Sequence, residues 1–130
     1  MRAALLSLLP LALLATAGDA SPRQSGEERL AKMLEGRTAG APVDCVRTLP
    51  NTDMTVIDGT AIVIKRGGTI YVNRTSDPRS LDDSDYLVLR RFGDGGQLCS
   101  IDTMTAYDRG SNIYSGNVFL SEFVPYTKAK

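Results

Sequence analysis

Histidine and tryptophan do not occur in the 130-residue chain. Without histidine, Ser-His-Asp and Cys-His hydrolases and the common zinc sites fall away. Glycine is plentiful but forms neither a Walker-type nor a dinucleotide-binding motif, so nucleotide chemistry has no cradle, and "FGDGGQ" at 92–97 reads as a loop. Neither sign of charge predominates, with 15 basic and 15 acidic residues. Removing an N-terminal leader with Arg2 and Asp19 lowers both counts by one and leaves neutrality intact. A nucleic-acid binder normally carries a basic stripe that displaces counterions from phosphates, and the doublets Lys65-Arg66 and Arg90-Arg91 fall short of one. After the N-terminus no apolar run of about 20 residues recurs, so no transmembrane segment is expected.

Cysteine is scarce in an informative way. Only Cys45 and Cys99 occur, with no C-x-x-C redox motif. Arg2, the apolar stretch from Ala3 to Ala17 and the small residues Ala15, Ala17, Gly18 and Ala20 read as a secretory signal peptide over 1–20, cleaved after Ala17 or Ala20. Export places the two cysteines in an oxidising compartment, where an even count predicts a Cys45–Cys99 bridge. Such a bridge is worth roughly 4 kcal/mol in the chain-entropy model. Periplasmic or secreted location follows, and about 110 residues remain for one small domain.

The chain divides into a helix with a linker at 21–42, a β domain at 43–126 and a C-terminal tail at 127–130. In "SGEERLAKMLEG" Ser25 is an N-cap, Glu28 completes a capping box and Gly36 stands as the C-terminal glycine. Leu30, Met33 and Leu34 then form one apolar stripe. "RTAGAP" follows as a linker. Strands are read near 43–49, 53–57, 60–66, 69–74, 86–92, 101–107 and 117–124. The fold class is mainly β, a small antiparallel barrel or sandwich with one short N-terminal helix.

"VIDGTAIVI" at 56–64 sets a carboxylate beside Gly and Thr, but the order Asp58-Gly59-Thr60 is not the Asp-Thr-Gly of aspartic proteases and has no second copy. A two-residue hairpin turn at Asp58-Gly59 is the reading, with another at Gly67-Gly68. The expected register opposes Ile57 to Thr60, Val56 to Ala61 and Met54 to Val63, then Val63 to Val72 and Lys65 to Ile70. One face, with Met54, Val56, Ala61, Val63, Ile70 and Val72, is expected to be core. The other carries Ile57, Ile62, Ile64, Tyr71 and Asn73 and is too apolar simply to face water. Either the helix stripe covers it, or Ile62, Ile64, Tyr71 and Asn73 form a binding face.

Carboxylates are the remaining chemistry. "DDSD", with Asp82, Asp83 and Asp85, lacks the Gly and distal Glu of a calcium loop and reads as a polar turn. A glycosidase-like pair drawn from Asp82, Asp83, Asp102 or Glu122 has no motif to support it. "NRT" at 73–75 is a glycosylation acceptor only in a eukaryotic secretory pathway. No catalytic residue, cofactor or metal is expected.

Cys45, "IDGTAI" at 57–62, "YVNR" at 71–74, "LDD" at 81–83, "LC" at 98–99, Asp102, Asp108-Arg109 and "FVPY" at 123–126 together resemble small exported proteins of proteobacteria, of the sphingomonad type. The resemblance runs from about Glu28 to Tyr126 and implies an exported protein with a disulfide. It carries no assigned activity, so no residue role transfers. The loops "RTSDPRS" and "DRGSNIY" depart from the shared pattern. The expected function is a non-catalytic binding or envelope-associated module, a monomer or weak dimer whose partner is a protein or envelope ligand. The alternative is an inhibitor of a periplasmic or secreted hydrolase, inserting loop 75–85 or 93–97. An enzyme working through Asp83, Asp102 and Glu122 ranks third.

Overall fold

The computed structural model describes Gly18 and residues 22–49, 52–90 and 95–130. The signal-peptide reading, apart from Gly18, and part of loop 93–97 lie outside the described residues. Helix α1 spans Gly26–Met33 and begins as its sequence dictates: the Ser25 hydroxyl accepts from the Glu28 amide while the Glu28 carboxylate accepts from the Ser25 amide. Leu34 is the C-cap, and Gly36 takes a left-handed φ of 71° two residues later.

Among the described residues ten strands follow: β1 Arg37–Ala39, β2 Cys45–Arg47, β3 Asp53–Ile57, β4 Ala61–Arg66, β5 Thr69–Asn73, β6 Asp85–Arg90, β7 Gln97–Cys99, β8 Thr103–Asp108, β9 Tyr114–Phe119 and β10 Phe123–Lys128. They form an antiparallel five-stranded sheet ordered β1-β10-β5-β4-β3, a three-stranded sheet β6-β8-β9 and a two-stranded ribbon β2-β7. The fold is mainly β and sandwich-like, with open sheets. The stretch read as one strand at 117–124 is two, β9 and β10, because Leu120 to Glu122 turn the chain from one sheet to the other. The supposed linker holds β1, and the supposed tail contributes Thr127 and Lys128 to pairing with it. Pro125 sits inside β10 without breaking it. Its carbonyl accepts from the Gly40 amide just past the end of β1, so its missing N–H faces a side where the ladder has stopped.

The Gly67-Gly68 hairpin has the expected register, Val63 opposite Val72 and Lys65 opposite Ile70. Gly67 alone is left-handed, as a type II′ turn requires. The β3–β4 corner differs from expectation. Ile57 opposes Ala61, Val56 opposes Ile62 and Met54 opposes Ile64, so the corner has three residues rather than two. Tertiary contacts impose the longer corner. The Gly59 amide donates to the distant Leu81 O at 2.8 Å, and within the corner the buried Thr60 hydroxyl closes locally on Asp58 O at 2.8 Å. α1 enters so closely that a Cβ on Gly26 would lie 1.9 Å from Thr60 Oγ1.

A one-residue slip moves every side chain of a strand to the other face. Met54 and Val56 therefore leave the expected core face, and Met54 is 44% exposed. Ile57 replaces them, joining Ala61, Val63, Ile70 and Val72 beneath Leu30, with Met33, Leu34 and Tyr126 at the margin. The helix thus covers the Val63 face, not the Ile62/Ile64/Tyr71 face. The latter meets the three-stranded sheet and the ribbon: Ile62, Ile64 and Phe123 pack with Met104 and Val118 of the former and Val46 and Leu98 of the latter, while Val56 and Tyr71 lie at the edge. The central sheet is covered on both sides, which explains the near-continuous apolar run of β4. Cys45 and Cys99 are direct cross-strand partners, bonded, with Cα atoms 4.0 Å apart, and they tie β2 to β7.

Candidate binding surfaces

The four residues proposed from sequence as a binding face are not a surface. Ile62, Ile64 and Asn73 are each 0% exposed and Tyr71 is half-buried, because the β6-β8-β9 sheet and the β2-β7 ribbon pack on that face. Asn73 has a structural task. Its Nδ2 donates to Ser121 O at 2.6 Å, and its Oδ1 accepts from the amides of Thr75 and Ser121 and from the Ser121 hydroxyl, at 2.9, 3.0 and 3.1 Å. One buried amide side chain thus ties the end of β5 to the β9–β10 crossing. Its nitrogen is committed, which removes it as a glycan acceptor.

The carboxylates singled out from sequence do not converge. Asp102 is buried and accepts from the Cys99 amide at 2.7 Å, bracing the turn after the disulfide. Glu122 is exposed beside a separate cleft of about 310 Å³ with Arg74 and Tyr126. Asp82 and Asp83 instead join Asp58, one oxygen of each lying within 4.8 Å of the others. All-oxygen ligation of this kind fits a hard cation. Yet Asp82 accepts from both the Ser84 amide and hydroxyl, at 2.8 and 2.7 Å, and Asp83 faces Arg29 at 3.6 Å. All three are exposed, the pattern of a solvated turn. The Ser84 hydroxyl and amide hold the Asp82 carboxyl below its ordinary pKa, and Ser111 does the same for Asp108.

Pairing places a different set of side chains on an uncovered face. Leu87, Leu89, Met104, Ala106 and Val118 point from the three-stranded sheet into the sandwich. The alternate residues must point outward. Cross-strand partners then form rows: Tyr86, Tyr107 and Tyr114; Val88, Thr105 and Asn117; Arg90, Thr103 and Phe119. The Tyr86 and Tyr107 rings stack at 5.5 Å, and Tyr114 meets Tyr107 edge-on at 6.2 Å. Tyr114 and Phe119 remain 56% and 54% exposed.

A local irregularity aligns the third tyrosine. β9 slips register between Ala106 and Tyr107, so Tyr114 rather than Ser115 opposes Tyr107. Gly116 supplies the bulge with φ 151°, and the Ser115 hydroxyl donates to the buried Asp85 carboxylate at 3.0 Å. Sequence reading missed this constellation. Alternation at Tyr86, Val88 and Arg90 marks an outward face, but the pairing of 86 with 107 and the bulge at 116 have no local signal. The chain matches no protein-family model, no curated protein and no solved structure.

Proposed function

We propose that this protein is a non-catalytic binding or envelope-associated module of the periplasm or extracellular space, akin to the exported proteobacterial proteins it resembles. Its contact surface is the tyrosine-bearing outer face of the β6-β8-β9 sheet. The observation that carries the reading is the outward row Tyr86, Tyr107 and Tyr114, the first two half-buried and Tyr114 exposed, beside exposed Val88 and Phe119. Aromatic side chains present large, stiff, amphipathic area and are enriched where proteins meet partners. The disulfide fits an oxidising compartment. Among the described residues, no helix is long and apolar enough to cross a membrane.

Co-sedimentation with purified cell envelopes tests the reading, comparing wild type with Tyr114→Ala, Phe119→Ser. Each exposed anchor contributes on the order of 1–2 kcal/mol when desolvated, so for the two together about thirtyfold to nearly a thousandfold weaker affinity is expected. Equal retention by both proteins overturns the assignment of this face.

A second reading, inhibition of a periplasmic or secreted hydrolase, is favoured by the bracing of the loop 76–84. Ser76 N donates to Phe119 O, Leu81 is buried and its carbonyl accepts from Gly59 N, and Arg29 faces Asp83. The exposed Asp77, Arg79 and Ser80 are thereby held for presentation. Lack of inhibition across a panel of lysozymes and proteases removes it.

A further inference from the structure

We propose that the open side of the sandwich, between the edges of β3 and β6, receives an extended peptide segment of a partner protein, apolar at alternate positions and acidic at one end. β3 and β6 are outermost in their respective sheets. Each therefore turns a row of backbone N–H and C=O groups outward, the template on which a peptide strand adds. Other edges of this molecule are blunted. β1 has three residues and carries Arg37, and β9 is bulged at Gly116. Along the seam the charges stand only at strand ends, Asp53 on β3 and Asp85 and Arg90 on β6, and the stretches between, Met54 to Ile57 and Tyr86 to Leu89, contain no charge and no proline.

Three clefts that share lining residues succeed one another beside these edges. A cleft of about 370 Å³ is walled by Met54, Thr55 and Val56 on one side and Asp85, Tyr86 and Leu87 on the other. It shares Arg29 and Asp83 with a cleft of about 580 Å³ near Ile57 and Asp58, and Met54 with an apolar cavity of about 110 Å³ near Leu89, Leu98 and Met104. The walls run antiparallel, since Ile57 to Thr52 descends as Asp83 to Leu89 ascends. An inserted strand would turn every second side chain toward Met54, Val56, Leu87 and Leu89, and the others toward solvent.

Charge sets the polarity of the occupant. Of the four charged side chains that line the cleft, Arg29 faces Asp83, and the buried Asp85 carboxylate accepts from the Ser115 hydroxyl. Arg109 lines the same cleft, donates from Nη2 to Asp85 O at 3.2 Å, and has no carboxylate partner among the described residues. An acidic side chain at that end of the peptide completes the guanidinium, a charge-assisted contact of the stronger kind. At the apolar end the Thr48 hydroxyl is buried without a hydrogen-bond partner among the described residues and borders the cavity.

The test is selection of a randomised heptapeptide library on the immobilised full-length protein, followed by fluorescence anisotropy with the enriched peptides. Enrichment of alternating apolar sequences with an acidic residue toward one end is expected. Methylation of alternate backbone nitrogens should weaken these peptides at least tenfold, and Arg109→Glu, with an unchanged circular dichroism spectrum, should turn the preference from acidic to basic. The inference is overturned by a pool no richer than on blank support, by enriched peptides without alternation, or by affinity that survives backbone methylation. It is equally overturned if Arg109→Glu binds the same peptides as well as wild type, or if only Tyr114→Ala abolishes binding. That last result would leave the tyrosine face intact as a contact surface while removing the seam.

Discussion

Replacing Asn73 by alanine is the sharpest perturbation of the architecture. The substitution deletes four hydrogen bonds at a site that is fully enclosed. Two backbone amides, those of Thr75 and Ser121, lose the acceptor they share, and Ser121 O loses its side-chain donor. A stranded buried polar group costs about 1–3 kcal/mol, and partial hydration of Ser121 tempers the sum, so the expected loss is about 3–5 kcal/mol. Against a total of about 5–15 kcal/mol this is a large fraction. Urea unfolding followed by far-ultraviolet circular dichroism measures it, with a lowered midpoint and an unchanged m-value.

Asn73→Asp supplies the internal control for that result. It keeps the oxygen that accepts from the Thr75 and Ser121 amides and the Ser121 hydroxyl and loses only the donor to Ser121 O, so its deficit reports that donor and the buried carboxyl rather than the shared acceptor. A loss under about 1 kcal/mol for Asn73→Ala would refute the claim that this amide ties the two sheets together.

Reducing the Cys45–Cys99 bridge, whose ends are 54 positions apart, should remove about 4 kcal/mol, read as the difference between urea midpoints with and without dithiothreitol. Thr75 holds φ 57° although β-branched, and its buried hydroxyl has no partner among the described residues. Thr75→Gly should raise stability by about 1 kcal/mol, and a fall would contradict the strain. Asp82 and Asp108 have folded pKa values below the ordinary carboxylate value because Ser84 and Ser111 donate to them. The bonds are therefore complete above the unfolded pKa and are lost as pH falls through the depressed one. NMR amide shifts of Ser84 and Ser111 should move in that acidic range and stay flat above it.

Much of this molecule could be read from its residues because the forces concerned are local or covalent. The capping box at Ser25 and Glu28, the two-residue corner at Gly67-Gly68 with its register, and the mainly β class all rest on neighbours within a few positions. The disulfide needed only an even count and a compartment. The β3–β4 corner was misjudged because its length is set by distant groups, Leu81 O and the close approach of Gly26. That single residue of slip exchanged which face each side chain of β3 serves.

The sequence by itself determined the helix cap, the bridge and the existence of most strands, since backbone propensity and oxidising chemistry act wherever those residues stand. Only the tertiary structure decided that Ile62, Ile64 and Asn73 are interior, that Tyr86, Tyr107 and Tyr114 share an outer face, and that β3 and β6 border an open seam. Those outcomes depend on which sheet lies over which. Packing of nonlocal strands decides that from the combined burial of many side chains, which no short window of residues contains.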